Sequence, residues 1–203
     1  MYPSPLLLET IQFKNRQLQN LLFHNQRFNH SRSQLLGLEA KEDLANLIVL
    51  PDYLDQNQTY KCRILYDTHI HHIEFVPYTL RQIQSLQLVY ANELDYSYKF
   101  ADRTALQSLL QKKGTADDIL IVKNGLITDS SYSNVAFFDG LQWFTPSLPL
   151  LAGTRRAYLL QQNILTIADI RPSDLKNFEK VRFINAMMDW EESIELKVEK
   201  IFN

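Results

Sequence analysis

The sequence predicts a mixed α/β (α+β) protein built from two small units, residues 1–79 and 80–203. Three observations point there. A helical pattern and a pair of alternating, strand-like runs precede residue 80. Four of the five glycines fall between Gly114 and Gly153, where short apolar runs are separated by tight-turn dipeptides. The 203 residues are 45% hydrophobic and 22% charged, enough apolar material for one large or two modest cores, which argues against disorder.

The elements follow in chain order. Residues 18–36, LQNLLFHNQRFNHSRSQLL, set Leu18, Leu21, Leu22, Phe28 and Leu35 at roughly helical spacing, which predicts an amphipathic helix with His24 and Arg27 on a common face. YKCRILY (60–66) and HIHHIEFVPY (69–78) alternate as two strands, with DTH between them as a hairpin turn. Pro77 and the polar TLRQIQS after it mark the domain connection. SLQLVY (85–90) is again strand-like, and FADRTALQSLLQKKG (100–114) predicts a helix opened near Asp102 and stopped by Gly114. DDILIV, Asn-Gly, LITD and then NVAFF, Asp-Gly, LQWFT predict a meander of short strands. PLLAGTRRAYLLQQN (149–163) places Gly-Thr at the mouth of a helix, PSDLKNF (172–178) predicts a short capped helix, and KVRFINAM (180–187) a last strand. There is no internal repeat.

Several function classes are disfavoured. A formal net charge of −2 provides no basic footprint for nucleic acid or an anionic membrane surface. No apolar run approaches the length of a membrane span. The start MYPSPLLLETIQ has no basic n-region, so no signal peptide is expected. The single cysteine, Cys62, cannot form an intramolecular disulfide and sits in a core-like run, which favours a reducing, cytoplasmic setting. His69, His71 and His72 invite a metal, but alternation puts only His69 and His71 on one strand face, with no carboxylate at a matching spacing. No metal is therefore expected.

The stretch ITDSSYSNVAFFDG (127–140) crowds five hydroxyls, an aspartate and an asparagine between two turn signals. Around it the chain offers, in order, Lys99 at a strand end before a helix, Asp129 after a strand, Gly153-Thr154 opening a helix, and Asn185-Ala186 closing a strand. That order resembles the class IV aminotransferases, the fold-type IV pyridoxal-phosphate enzymes that include branched-chain and D-amino-acid aminotransferases and aminodeoxychorismate lyase. YKFADR, ITDSSYSNVAFFDG, FTPSLPLLAGTRR and INAMM are the segments that carry the resemblance, with LLETI and FHNQRF in the first unit. It covers most of the chain and is strongest from Lys99 to Met188.

The resemblance implies a two-domain fold of the D-amino-acid aminotransferase type with a shortened N-terminal domain. It also implies a pyridoxal 5'-phosphate cofactor. Such a cofactor must be held covalently, protonated on its ring and bound by its phosphate. Lys99 would form the Schiff base and then move the substrate's α-proton. Asp129 would face the ring nitrogen, one methylene shorter than the glutamate most members have there. The loop hydroxyls and Asn134 would tie down the backbone that aims it. The phosphate would fall to Arg27, to Gly153 and Thr154 at a helix N-terminus, and to Asn185 and Ala186. Arg63 on its strand and Leu8, where related enzymes often place an aromatic residue, are candidates for substrate contact, and Arg103 resembles an arginine beside the lyase's lysine segment.

The implied activity is amino-group transfer from an amino acid to a 2-oxo acid, in a symmetric homodimer. Two other outcomes stay open: an aminodeoxychorismate lyase-like enzyme that expels pyruvate, toward which INAMM and KFADR lean, and a non-catalytic relative.

Overall fold

The computed structural model describes residues 5–203. The chain forms two compact units: residues up to Leu80 together with Tyr98–Asp102, and Arg81–Ser97 together with Arg103–Asn203.

The first unit contains β1 (Leu7–Lys14), β2 (Gln17–Leu18), α1 (Leu21–Leu36), the single turn α2 (Leu44–Leu47), β3 (Tyr60–Tyr66) and β4 (Ile70–Pro77). Its antiparallel sheet has the order β2-β1-β3-β4. Strand β3 alternates as its sequence predicts, burying Tyr60, Cys62, Ile64 and Tyr66. Strand β1 does not alternate: Leu7, Leu8, Glu9, Ile11, Gln12 and Phe13 are all buried. The core gathers Leu7, Ile11, Phe13, Phe28, Leu44 and Ile64, with Phe13 edge-on to Phe75.

Helix α1 forms where the spacing predicts it but presents a different face. Leu18 lies in β2, Leu22 is 61% exposed, and the residues it buries are His24, Phe28, Ser31 and Arg32. That i, i+4, i+7, i+8 stripe is mostly polar. It can be buried because its polar side chains find partners: His24 meets Glu9, and Arg32 donates to Glu42 and to the carbonyl of Ala40.

The segment holding Lys99 also departs from expectation. Lys99 does not sit at the end of the preceding strand. Tyr98–Asp102 runs beside the start of β1, with the Leu8 N–H donating to the Lys99 carbonyl and the Ala101 N–H to that of Leu6, both at 2.9 Å, and Leu7 bridging to Phe100.

The second unit contains β5 (Leu86–Tyr90), α3 (Thr104–Leu110), β6 (Asp118–Lys123), β7 (Leu126–Ser130), β8 (Asn134–Phe138), β9 (Trp143–Pro146), α4 (Thr154–Gln161), β10 (Leu165–Ala168), β11 (Lys180–Ile184), β12 (Glu195–Lys197) and β13 (Ile201–Phe202). One sheet runs β10-β9-β8-β7-β6-β5-β13, with β11 on β8 and β12 on β11. The Asn-Gly turn between β6 and β7 places Asn124 and Gly125 at φ 52° and 79°, the two left-handed residues that a tight hairpin needs. Strand β8 pairs along its length with β11 but meets β7 only at Asp129↔Asn134, so the ladder opens right beside the acidic residue. PSDLKNF forms a 3-10 segment with Asp174 capping the Arg171 N–H. The guanidinium of Arg182 lies 4.6 Å from the ring centre of Trp143 and 4.5 Å from that of Trp190, and the two indoles meet edge-on at 5.1 Å.

Candidate active site

In the first unit the predicted residues Lys99, Arg27, Leu8 and Arg63 occupy different settings. Arg27 is held by a fully buried carboxylate: its Nε donates to Glu9 Oε1 at 2.8 Å and its Nη2 to Glu9 Oε2 at 2.6 Å. His24, also fully buried, places Nδ1 2.7 Å from Glu9 Oε2. Burial alone would raise the Glu9 carboxyl, but Arg27 and His24 outweigh it and hold the group down to about 2. Burial pushes His24 below its ordinary value, so the ring is neutral and Nδ1–H donates to the Glu9 carboxylate. The geometry makes a rigid charged unit of strand β1 and helix α1, with two of the guanidinium nitrogens already engaged. Lys99 is half-buried beside β1. Leu8 is 8% exposed. Arg63, on the less buried face of β3, pairs across the ladder with Glu74 of β4.

In the second unit the sheet and α4 bring Asp129, Gly153 and Thr154 together through one side chain, Asn134. Its amide nitrogen donates to Asp129 Oδ1 at 2.9 Å and to the Leu151 carbonyl at 2.8 Å. The Leu151 N–H donates to Asp129 Oδ2 at 2.9 Å. The amide oxygen of Asn134 fills the space where a side chain at position 153 would begin, 1.9 Å from the ideal Cβ site, so glycine is required there by contact and not by an unusual backbone. Gly153 caps α4 in extended geometry and Thr154 is buried in the first turn. No acidic side chain occupies that turn, and the buried Arg156 projects to Thr145 Oγ1 and the Pro146 carbonyl at 3.1 and 2.8 Å. The helix entrance therefore carries positive potential.

The hydroxyls of the Ser-rich loop brace its backbone. Ser130 Oγ accepts from the Ser133 N–H at 3.1 Å and donates to the Ser133 carbonyl at 3.2 Å, while Thr128 Oγ1 donates to the Ile121 carbonyl. Asn185, just past β11, donates to Ser133 Oγ at 2.8 Å and accepts from the Met187 N–H, so the Asn185-Ala186 segment is tied to the same loop. Arg103 donates to the Ser131 carbonyl at 2.6 Å. Burial raises the Asp129 carboxyl to about 7, against the pull of the Asn134 amide, the Leu151 N–H and the more distant charge of Arg156.

The donor set suits pyridoxal phosphate. Asp129 is a buried carboxylate whose direct donors are neutral, and each of its oxygens can accept a second hydrogen bond from a ring N–H. A cation placed there would relieve the burial that lifts its pKa. The α4 entrance offers N–H groups to an anion.

The Amino-transferase class IV family profile matches residues 6–191. The chain belongs to the class IV aminotransferase family. An uncharacterized protein of Haemophilus influenzae is 37% identical over 189 residues, covering 92% of this chain and 98% of its own length. The crystal structure of a protein from Haemophilus somnus, provisionally named a 4-amino-4-deoxychorismate lyase, superposes with a TM-score of 0.84 at 36% identity, covering 92% of this chain and 98% of that one. A hypothetical aminotransferase of Mycobacterium tuberculosis in its pyridoxal-phosphate-bound form shares the fold at a TM-score of 0.76 and 16% identity, covering 95% of this chain and 80% of that one. These class IV relatives establish the fold-type IV architecture expected from sequence. No helix among the described residues is long and apolar enough to cross a membrane.

Three residues of the site were not singled out as such from sequence: Glu9, Leu151 through its N–H, and Arg156. Glu9 was visible only as part of LLETI. A glutamate inside an otherwise apolar strand, facing a helix with His and Arg three apart, was the available signal.

Proposed function

We propose that the chain is a pyridoxal-phosphate enzyme that moves an amino group from an amino acid to a 2-oxo acid. The observation that carries the proposal is the buried Asp129, held by the neutral donors Asn134 and Leu151 beside the N-terminus of α4. Bound pyridoxal phosphate supplies an electron sink for the substrate's Cα.

The chain's residues would then divide the work. Lys99 anchors the cofactor through its amine and, once released, takes and returns the proton at the substrate's Cα. Asp129 accepts a hydrogen bond from the ring nitrogen and holds the proton there, with Asn134 fixing the direction of its Oδ1. Thr154, the first-turn N–H groups of α4, Asn185 and Ala186 bind the phosphate, and Arg27 adds a cation whose position is set by Glu9. Arg63 and Leu8 are assigned to the substrate. The family resemblance supports a homodimer, and the single, buried cysteine, Cys62, supports a reducing, cytoplasmic setting.

The alternative is a lyase that releases pyruvate from aminodeoxychorismate. It is favoured by INAMM and by the provisional name of the Haemophilus somnus protein, 36% identical over 92% of this chain. One set of measurements separates the outcomes. Borohydride treatment of protein incubated with pyridoxal phosphate should leave a phosphopyridoxyl group on Lys99 by peptide mass spectrometry, and none in Lys99→Ala. Labelling of other lysines only would end the cofactor assignment. A screen of amino donors with a 2-oxo acid acceptor should give acceptor-dependent amino acid product. Pyruvate from aminodeoxychorismate without an acceptor would select the lyase. Labelling with neither product would select the non-catalytic relative. Light scattering should show a mass near twice the chain's 23.8 kDa.

A further inference from the structure

We propose that the hairpin joining β3 and β4 carries a site for a divalent transition-metal ion of the Zn²⁺, Ni²⁺ or Cu²⁺ type, ligated by Asp67, His69 and His71. The expectation of no metal rested on the lack of a carboxylate at a matching spacing, and the fold supplies one. The turn places Asp67, His69 and His71 at i, i+2 and i+4, with the ligand atoms of all three within 4.8 Å of one another. Asp67 Oδ1 lies 3.4 Å from His69 Nδ1 and 2.9 Å from His71 Nε2, and the two imidazole rings are 4.1 Å apart between centres.

The two Asp67–His separations fall in the range that a shared ion requires, and the two histidine nitrogens lie within 4.8 Å of each other. Bonds of about 2.0–2.2 Å put neighbouring ligand atoms roughly 3.4 Å apart in a tetrahedron and about 3.0 Å apart at the cis positions of an octahedron. The carboxylate is also held in place before any ion arrives. Asp67 Oδ1 accepts from the His69 N–H at 3.2 Å and from Thr68 Oγ1 at 3.4 Å, and the turn is closed by the Asp67 N–H donating to the His69 carbonyl at 3.1 Å.

Two imidazoles and one carboxylate select borderline transition ions over Mg²⁺ or Ca²⁺, which prefer all-oxygen sets. The His69 side chain is 68% exposed and that of His71 35%, which gives an ion an open approach and leaves positions for water. His72, the third histidine of the run, is directed instead toward Glu74, with Nε2 3.9 Å from Oε2. The site is independent of the cofactor residues proposed above.

Calorimetric titration of ZnCl₂ into the chelator-stripped 203-residue chain tests it. One Zn²⁺ per chain should bind in the micromolar range, and H69A, H71A and D67N should each weaken it about ten-fold or more. H72A should leave it unchanged, with far-UV circular dichroism confirming that every variant is folded. Absence of saturable binding overturns the proposal. So does binding that persists in the H69A/H71A double variant or that is lost in H72A.

Discussion

Glu9 grips Arg27 with both carboxylate oxygens, Oε1 to Nε at 2.8 Å and Oε2 to Nη2 at 2.6 Å, inside a core that leaves Glu9 no exposure. Glu9→Gln takes the anion away from a largely buried guanidinium and breaks its two-pronged hydrogen bonding. The expected loss of stability is about 3–5 kcal/mol, the cost of breaking a buried pair from one side. Urea unfolding followed by circular dichroism measures it. A loss below about 1 kcal/mol would mean that Arg27 finds water or another anion when Glu9 is silenced.

The same cluster sets a response to acid. Glu9 falls from its ordinary 4.5 to about 2 in the fold, and burial lowers His24 from its ordinary 6.5. For both groups the unfolded chain binds protons that the folded chain refuses, so both contributions weaken as pH falls, beginning below 6.5 for His24 and below 4.5 for Glu9. Replacing His24 by Gln should flatten the upper part of that decline in a series of thermal midpoints taken between pH 7 and pH 5.

Asp129 acts with the opposite sign. Its carboxyl is raised from 3.8 to about 7, so the folded chain keeps a proton that the unfolded chain has lost, and the contribution becomes unfavourable as pH rises from 3.8 toward 7. Asp129→Asn should therefore remove the loss of stability across that window, read as a flatter dependence of the thermal midpoint on pH, on top of a pH-independent cost because its NH2 must face one of the two N–H donors. The carbon resonance of the Asp129 carboxyl in cofactor-free protein should titrate near 7, and Asn134→Ala should move that midpoint upward by removing a donor to the anion. An unchanged midpoint would show that Asn134 does not stabilise the charge.

At Gly153 the obstacle is a named atom. A Cβ there would meet Asn134 Oδ1 at 1.9 Å, and Asn134 cannot step aside without losing Asp129 and the Leu151 carbonyl. Gly153→Ala should cost about 1–3 kcal/mol and weaken pyridoxal phosphate binding. Adding Asn134→Ala should restore part of the stability, because it removes the clashing amide, while leaving cofactor binding impaired. Strictly additive losses in this double-mutant cycle would refute the contact.

The parts legible in sequence were those written in local chemistry. Asn124-Gly125 announced its hairpin because only such residues adopt two left-handed conformations in succession. The alternation of β3 and the Gly-Thr start of α4 were equally plain. Illegible were pairings that depend on distant chain. The short β10, β12 and β13 are held by partners far away in sequence, as in Ile201↔Leu86. The inward face of α1 could not be chosen from its leucines, because the burial of His24 and Arg32 is made possible by Glu9 and Glu42, which lie outside the helix. At the site, the order of Lys99, Asp129 and Gly153-Thr154 pointed to a family, but the clasp of Asn134 between an aspartate and a glycine is a three-dimensional fact. Residue type announced the carboxylate and not what holds it.

Trp143 and Trp190 are the chain's only two tryptophans, and both rest on Arg182 in the second unit. Indole emission is thus a broadcast from a single address. Should the two units melt at different temperatures, a fluorescence curve would follow one of them and stay silent about the loss of Glu9, His24 and Arg27. A tryptophan introduced in place of Phe75, edge-on to Phe13 in the other core, would supply the missing second voice.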